Sequence, residues 1–206
     1  MPGTVFPPCC HRILSRSGGR LKDGGKVYDT RCLLTFVEHG ERWHTMKGVV
    51  VYHSFWGSCR TIAEAIANGL YESGQEVRLV SVAYADKPDP SLDFVVIGGA
   101  TRWPGATRKI KSYARQVIKS GFAGKPFAAF STGGTVFDEK PNLQASEQLY
   151  DLLEKGGLTP LARPFIAGMK GYKPPGRQKG TLPETEVARA VEFGRELGAK
   201  LSEQQA

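Results

Sequence analysis

From Lys47 onward the chain alternates between two kinds of apolar pattern. Five short runs read as strands: Gly48–His53, Glu76–Val82, Phe94–Gly98, Pro126–Ser131 and Leu161–Ala167. Within them "GVVVY", "FVVIGG" and "PFAAFS" are apolar without a break, the pattern of strands buried on both faces of a parallel sheet. Helical periodicity fills the gaps, predicting helices over Arg60–Glu72, Thr107–Ser120, Asn142–Gly156 and Pro183–Glu203. Ile62, Ala63, Ile66, Ala67 and Leu70 make one apolar stripe. Ile110, Ala114, Val117 and Ile118 make a second, and Val187, Val191, Phe193, Gly194 and Leu197 a third. Gly69, Gly121 and Gly156-Gly157 read as helix ends. Repeated strand–helix alternation implies a doubly wound α/β sheet with right-handed crossovers. Ligands of such sheets bind beyond the carboxyl ends of the strands, near the switch point. The loops after strands one, three and four are therefore the places to look for function.

Residues 1–45 follow neither pattern. "PGTVFPPCC" and "SRSGGRLKDGGK" are rich in Gly, Pro and Ser and basic, and Cys32–Val37 alone has the character of a short strand. The expectation is an irregular extension over 1–45 followed by one domain over 46–206. Met46-Lys47-Gly48 would also serve as an ordinary start, which would put 1–45 upstream of the native protein.

Composition narrows the class. The chain has 206 residues, 40% hydrophobic and 23% charged, which supports a packed core rather than disorder. No run approaches the roughly 20 apolar residues of a membrane span, and "MPGTVFPPCCHRILSRSGGR" has no apolar leader core. Cys9, Cys10, Cys32 and Cys59 match neither a zinc site nor a disulfide framework, which favours a reducing cytoplasm. His11, His39, His44 and His53 are scattered, and no metal site is expected. The net charge of +8 is spread along the chain; it permits an anionic ligand or partner but does not indicate nucleic acid. No Gly-x4-Gly-Lys-Ser/Thr string suggests a nucleotide hydrolase. A phospho-receiver needs acidic residues after strand one, where this chain has Tyr52-His53-Ser54.

The first loop, "SFWGSC" (Ser54, Phe55, Trp56, Gly57, Ser58, Cys59), joins a buried strand to a helix. Unpaired N–H groups and the helix dipole at that junction attract a phosphate, with Ser54 and Ser58 supplying hydroxyls. The competing reading makes Ser58 a simple helix cap. A helix N-terminus also lowers a thiol pKa, so Cys59 reads either as reactive or as a small residue tolerated in the loop. The string Val50-Val-Tyr-His-Ser54-x-x-Gly57-x-Cys59-x-x-x-Ala63-x-x-Ile66 resembles the flavodoxin signature, departing from it where Cys59 replaces threonine. The resemblance implies that residues 54–59 wrap the phosphate of FMN.

Two further loops carry the same resemblance in the expected order. "GATRWPG", with Ala100, Thr101, Arg102 and Trp103, is similar to the loop that lines the isoalloxazine ring in flavodoxin-like quinone reductases. Trp103 offers a flat face for stacking, and Gly98, Gly99 and Gly105 would let backbone approach the ring. Arg102 reads either as a cation near the flavin's electron-rich edge or as a solvated side chain. "FSTGGTVF", with Ser131, Thr132, Gly133 and Gly134, corresponds to the third flavin loop, with Phe137 as a weaker candidate. The resemblance, over Lys47 to Ser202, implies a short-chain flavodoxin-like fold: five parallel strands in the order 2-1-3-4-5 with helices on both faces. It implies non-covalent FMN, no catalytic side chain, and redox protein partners, either a reductase or an electron acceptor. Low-potential electron transfer and NAD(P)H-dependent quinone or flavin reduction remain as alternatives. The basic domain is unlike acidic electron-carrying flavodoxins. Arg108, Lys111, Arg115 and Lys119 on one helix and Lys170, Lys173, Arg177 and Lys179 in the last loop read as solvated charge, or as a dock for an acidic partner or NADPH.

Overall fold

The computed structural model describes residues 45–102, 105–134, 143–171 and 180–204. The expected extension (save Thr45), the short strand at Cys32–Val37, Trp103, Phe137, Asn142 and the cations Lys173, Arg177 and Lys179 lie outside the described residues. The elements run in chain order as β1 (Lys47–His53), α1 (Ser58–Glu72), β2 (Glu76–Ser81), β3 (Phe94–Ala100), α2 (Arg108–Lys119), β4 (Pro126–Gly134), α3 (Ala145–Lys155), β5 (Thr159–Pro160), β6 (Phe165–Met169) and α4 (Glu184–Glu203).

All strand pairs are parallel, and β2, β1, β3 and β4 lie side by side in that order. Both β5 and β6 pair with the outer side of β4. The expected order 2-1-3-4-5 therefore holds, with the fifth position filled in two pieces. The single strand predicted over Leu161–Ala167 is broken because the edge chain carries two surplus residues. Phe127 faces Pro160 and Phe130 faces Phe165, so Ala128 and Ala129 are opposed by Leu161, Ala162, Arg163 and Pro164. Pro164 has no N–H to give the ladder, and an edge position tolerates such a bulge.

Alternate side chains of the central strands feed two cores. Val50, Val96, Ala128 and Phe130 pack under α1 and α4. Val49, Val51, Val95, Ile97, Phe127 and Ala129 pack under α2 and α3. This two-sided burial is why the central strands show no polar alternation. On the α1/α4 side, glycines are paired across strands with aromatic rings. Gly48 faces Phe94 and Gly98 faces Phe130. A Cβ built on either glycine would lie 2.3 Å from its partner's ring. The glycines thus leave room for two of the largest fully buried side chains.

Gly69 does not end α1, as the sequence reading had it, but lies inside that helix. A Cβ there would stand 2.1 Å from the Val191 carbonyl oxygen on α4. Reciprocally, a Cβ on Gly194 would stand 2.3 Å from the Ile66 carbonyl oxygen. Two helices cross backbone to backbone at this point, which only glycine permits. The contact fixes how α1, and with it the loop before α1, sits on the sheet.

Gly69→Ala and Gly194→Ala should each destabilise the fold by about 1–3 kcal/mol, since overpacking against rigid backbone has no easy relaxation. The urea unfolding midpoint checks this, and a midpoint unchanged in both variants contradicts the packing described here.

Candidate functional site

The strands end together at the carboxyl edge of the sheet, where the loops after β1, β3 and β4 open a cleft of about 430 Å³, its mouth included. From the first loop, Ser54, Phe55, Trp56, Ser58 and Cys59 line it. Ala100, Thr101 and Arg102 line it from the end of β3, and Thr132 and Gly133 from β4. Met169 and Gly180, which the sequence reading did not single out, complete the wall. Met169 ends β6, so the carboxyl-edge rule extended to the last strand would have found it. Gly180 stands beside an antiparallel bridge between Lys170 and Thr181, with N–H···O distances of 2.9 and 2.8 Å, that closes the base of the last loop.

Two of the expected residues, Gly57 and Ser131, are placed differently. Gly57 sets up the cradle without lining it. Gly134 ends β4, and Trp103 lies outside the described residues. The Ser131 side chain is fully buried, its hydroxyl 2.9 Å from that of Ser146 on α3. It ties the sheet to that helix instead of facing the cleft. Thr101 is likewise partly committed: its hydroxyl donates to Gln144 Oε1 at 2.9 Å and accepts the Ala145 N–H at 3.1 Å, holding the start of α3. The room expected at Gly98 and Gly105 is taken by protein. Phe130 fills the first, and a Cβ on Gly105 would meet the Gln148 side chain at 2.3 Å.

The first loop turns into α1 through Gly57, whose φ of +93° favours glycine. Its N–H donates to Ser54 Oγ at 3.1 Å. Ser58 is the first helical residue and not a cap: α1 has no side-chain cap and no acidic residue in its first turn. No carboxylate is among the described residues that line the cleft. Donors and dipole therefore face a described lining without an anion, a setting suited to a phosphate.

The lip of the cleft is aromatic and cationic. Phe55 and Trp56 are 48% and 42% exposed. The Arg102 guanidinium lies 4.4 Å from the centre of the Phe55 ring and 5.6 Å from that of Trp56. Arg102 is thus neither free in solvent nor aimed at an internal acid; it joins the first loop to the second. Its backbone is pinned by a bridge to Gly105. Behind the lip, Phe55 meets the His53 ring edge-on at 4.7 Å, and His53 Nδ1 is 2.8 Å from Thr107 Oγ1. Burial, then the charges of Lys109 and Arg102, push the His53 pKa below its usual value of 6.5. Arg102 lines the cleft, and Lys109 is close enough to act on His53 behind the lip, so both bring positive charge to this side of the cleft.

Cys59 points inward, 1% exposed, among Ile62, Ala63 and Val50. Burial raises its pKa to about 12, a hydrogen bond with the Thr132 side chain opposing only in part. Burial thus keeps the thiol protonated and out of reach of solvent. No group of His, Cys, Asp and Glu among the described residues could hold a metal ion, and no described helix is long and apolar enough to cross a membrane.

Iodoacetamide at pH 8 should leave Cys59 unmodified in the native protein and label it on denaturation, read by peptide mass spectrometry. Native labelling at the rate of a free thiol would contradict the burial. The two titrations also bound stability. The raised Cys59 pKa gives stability that is full below the unfolded thiol's pKa and lost as pH rises toward about 12. The lowered His53 pKa gives stability present above 6.5 and lost as pH falls through the folded value.

A family model described as "Flavodoxin domain" matches residues 49–170. Among solved structures, a flavodoxin from the domain Archaea superposes with a TM-score of 0.61 at 18% identity, over 76% of this chain and 99% of that one. A WrbA-like flavodoxin from Agrobacterium tumefaciens gives 0.59 at 18%, over 79% and 100%. A flavodiiron core from Synechocystis gives 0.62 at 15%, over 79% of this chain and 37% of that one. At these identities the structural likeness speaks for the fold alone. No curated protein matches the sequence significantly. With the family model spanning more than half of the chain, and the strand order and crossovers in agreement with it, this chain belongs to the flavodoxin-domain family.

Proposed function

We propose that the chain is a flavodoxin-like redox protein that binds FMN non-covalently in the cleft and transfers electrons at low potential. The observation that carries this reading is the uncapped, acid-free N-terminus of α1 opening into a cleft whose described lining residues include no carboxylate. Ser54, Ser58 and the first-turn N–H groups would hold the phosphate. Phe55, Trp56 and Trp103 would border the ring, with backbone at Ala100–Arg102 and Thr132–Gly134 along its edge. When bound, the flavin supplies the electron chemistry, and the protein tunes it through stacking, hydrogen bonding and burial. No side chain of the cleft is needed as acid, base or nucleophile. The free, buried Cys59 suits a reducing cytoplasm.

A second reading, an NAD(P)H-dependent quinone or flavin reductase, draws on one observation: Arg102 and Lys109 bring positive charge to one side of the cleft, which suits a phosphorylated hydride donor. Stopped-flow mixing separates the two. Direct, fast bleaching of the flavin by NADH or NADPH supports the reductase, whereas reduction only through a partner protein supports the carrier.

Titration with FMN, followed by quenching of flavin fluorescence, should saturate at one equivalent. Ser58→Asp puts a carboxylate in the first turn of α1. It should lower FMN affinity at least about a hundredfold while leaving apo stability unchanged or up to about 1 kcal/mol higher, because the same charge suits the helix dipole. Protein that takes up no FMN, or a Ser58→Asp variant that binds it undiminished, would remove the reading.

A further inference from the structure

Helix α2 differs from the other three in its charge. Its twelve residues include Arg108, Lys109, Lys111, Arg115 and Lys119 and no Asp or Glu. None of the five forms an ion pair among the described residues. By contrast α1 pairs Arg60 with Glu64, α3 pairs Lys155 with Asp151, and α4 pairs Arg189 with Glu186 and Arg195 with Glu192. Arg108 and Lys109 also occupy the first turn, where the helix dipole disfavours cations. Lys111, Arg115 and Lys119 follow at spacings of four, where like charges repel. Held to the sheet by its buried face (Ile110, Tyr113, Ala114, Val117), the helix carries a charge that no described residue offsets and that is available to something outside this chain.

Its place in the fold says what that is. The first turn of α2 adjoins the cleft: Thr107, its cap residue, is bonded to His53, which packs against Phe55 at the lip. The partly exposed aromatic pair beneath Arg102 thus sits next to a row of cations with no ion-pair partner among the described residues. Aromatic side chains and arginine at the centre with charge at the rim is the anatomy of a protein interface. Arg102 already lies over one face of each ring, which narrows the room for a nucleic-acid base to stack there. We propose that the lip (Phe55, Trp56, Arg102) and the exposed cations of α2 together form the docking surface for an acidic protein, the electron-transfer partner of the cleft. The identity of that partner as a redox protein rests on the function proposed above; the surface itself does not.

The full chain is titrated calorimetrically with a plant-type ferredoxin as an acidic probe, at about 10 mM and about 150 mM salt, which shorten the screening length from about 30 Å to about 8 Å. Binding should weaken at least about tenfold at the higher salt. Arg108→Gln with Lys109→Gln removes two cations beside the lip and relieves the dipole conflict, so its thermal midpoint should not fall; it should weaken binding about tenfold at low salt. Lys47→Gln with Lys155→Gln removes the same charge at the opposite edge of the sheet and should change binding no more than about twofold. Absence of ferredoxin binding at low salt, or equal losses in the two double variants, would overturn the proposal. So would a basic cytochrome c bound as tightly, or a single-stranded RNA oligomer bound more tightly. Ferredoxin binding of this kind in protein that takes up no FMN would keep the surface and remove the cofactor reading. Flavin uptake without ferredoxin binding would do the reverse.

Discussion

A parallel sheet covered on both faces has nowhere to put polar chemistry except the ends of its strands. That constraint organises this molecule. Side chains along β1, β3 and β4 alternate between two buried cores, so the middle of each strand is apolar. Toward their carboxyl ends the chain turns polar, at His53-Ser54, Thr101-Arg102 and Ser131-Thr132, and because the strands are parallel these three points fall on one edge. The cleft is where the sheet stops.

Which way the cleft's donors face depends on packing remote from it. The backbone contact of Gly69 with Gly194 seats α1 against α4. Buried hydroxyls do the same on the other face, with Ser131 bonded to Ser146 and Thr101 holding the start of α3. Polar residues next to the cleft thus divide into those that build its walls and those left to face a ligand. Ser54 and Ser58 belong to the second group and Ser131 to the first, although all three are serines near the carboxyl edge of the sheet.

Electrostatics completes the cleft. An uncapped helix start, a stacked arginine and Lys109 all contribute positive potential, with no carboxylate among the described lining residues to offset them. Cys59 shows the opposite balance. It stands in the first turn of a helix, a position that favours a thiolate, yet burial raises its pKa and keeps it protonated. Position along the helix alone did not decide that outcome; depth did.

The sequence by itself determined the layout. Unbroken apolar runs and helical stripes located the strands and helices within a few residues, because burial on two faces and on one face leave different periods in the chain. The string from Val50 to Ile66 located the first loop for the same kind of local reason. What only the tertiary structure decided was where each side chain spends its interactions. Gly69 read as a helix end and became a crossing point, since nothing local marks a neighbour 122 residues away or more. Ser131 turned toward α3, Arg102 lay down on two rings from another loop, and the last strand split around Pro164. Each outcome depends on groups distant in sequence arriving at one point, and no local pattern encodes such meetings.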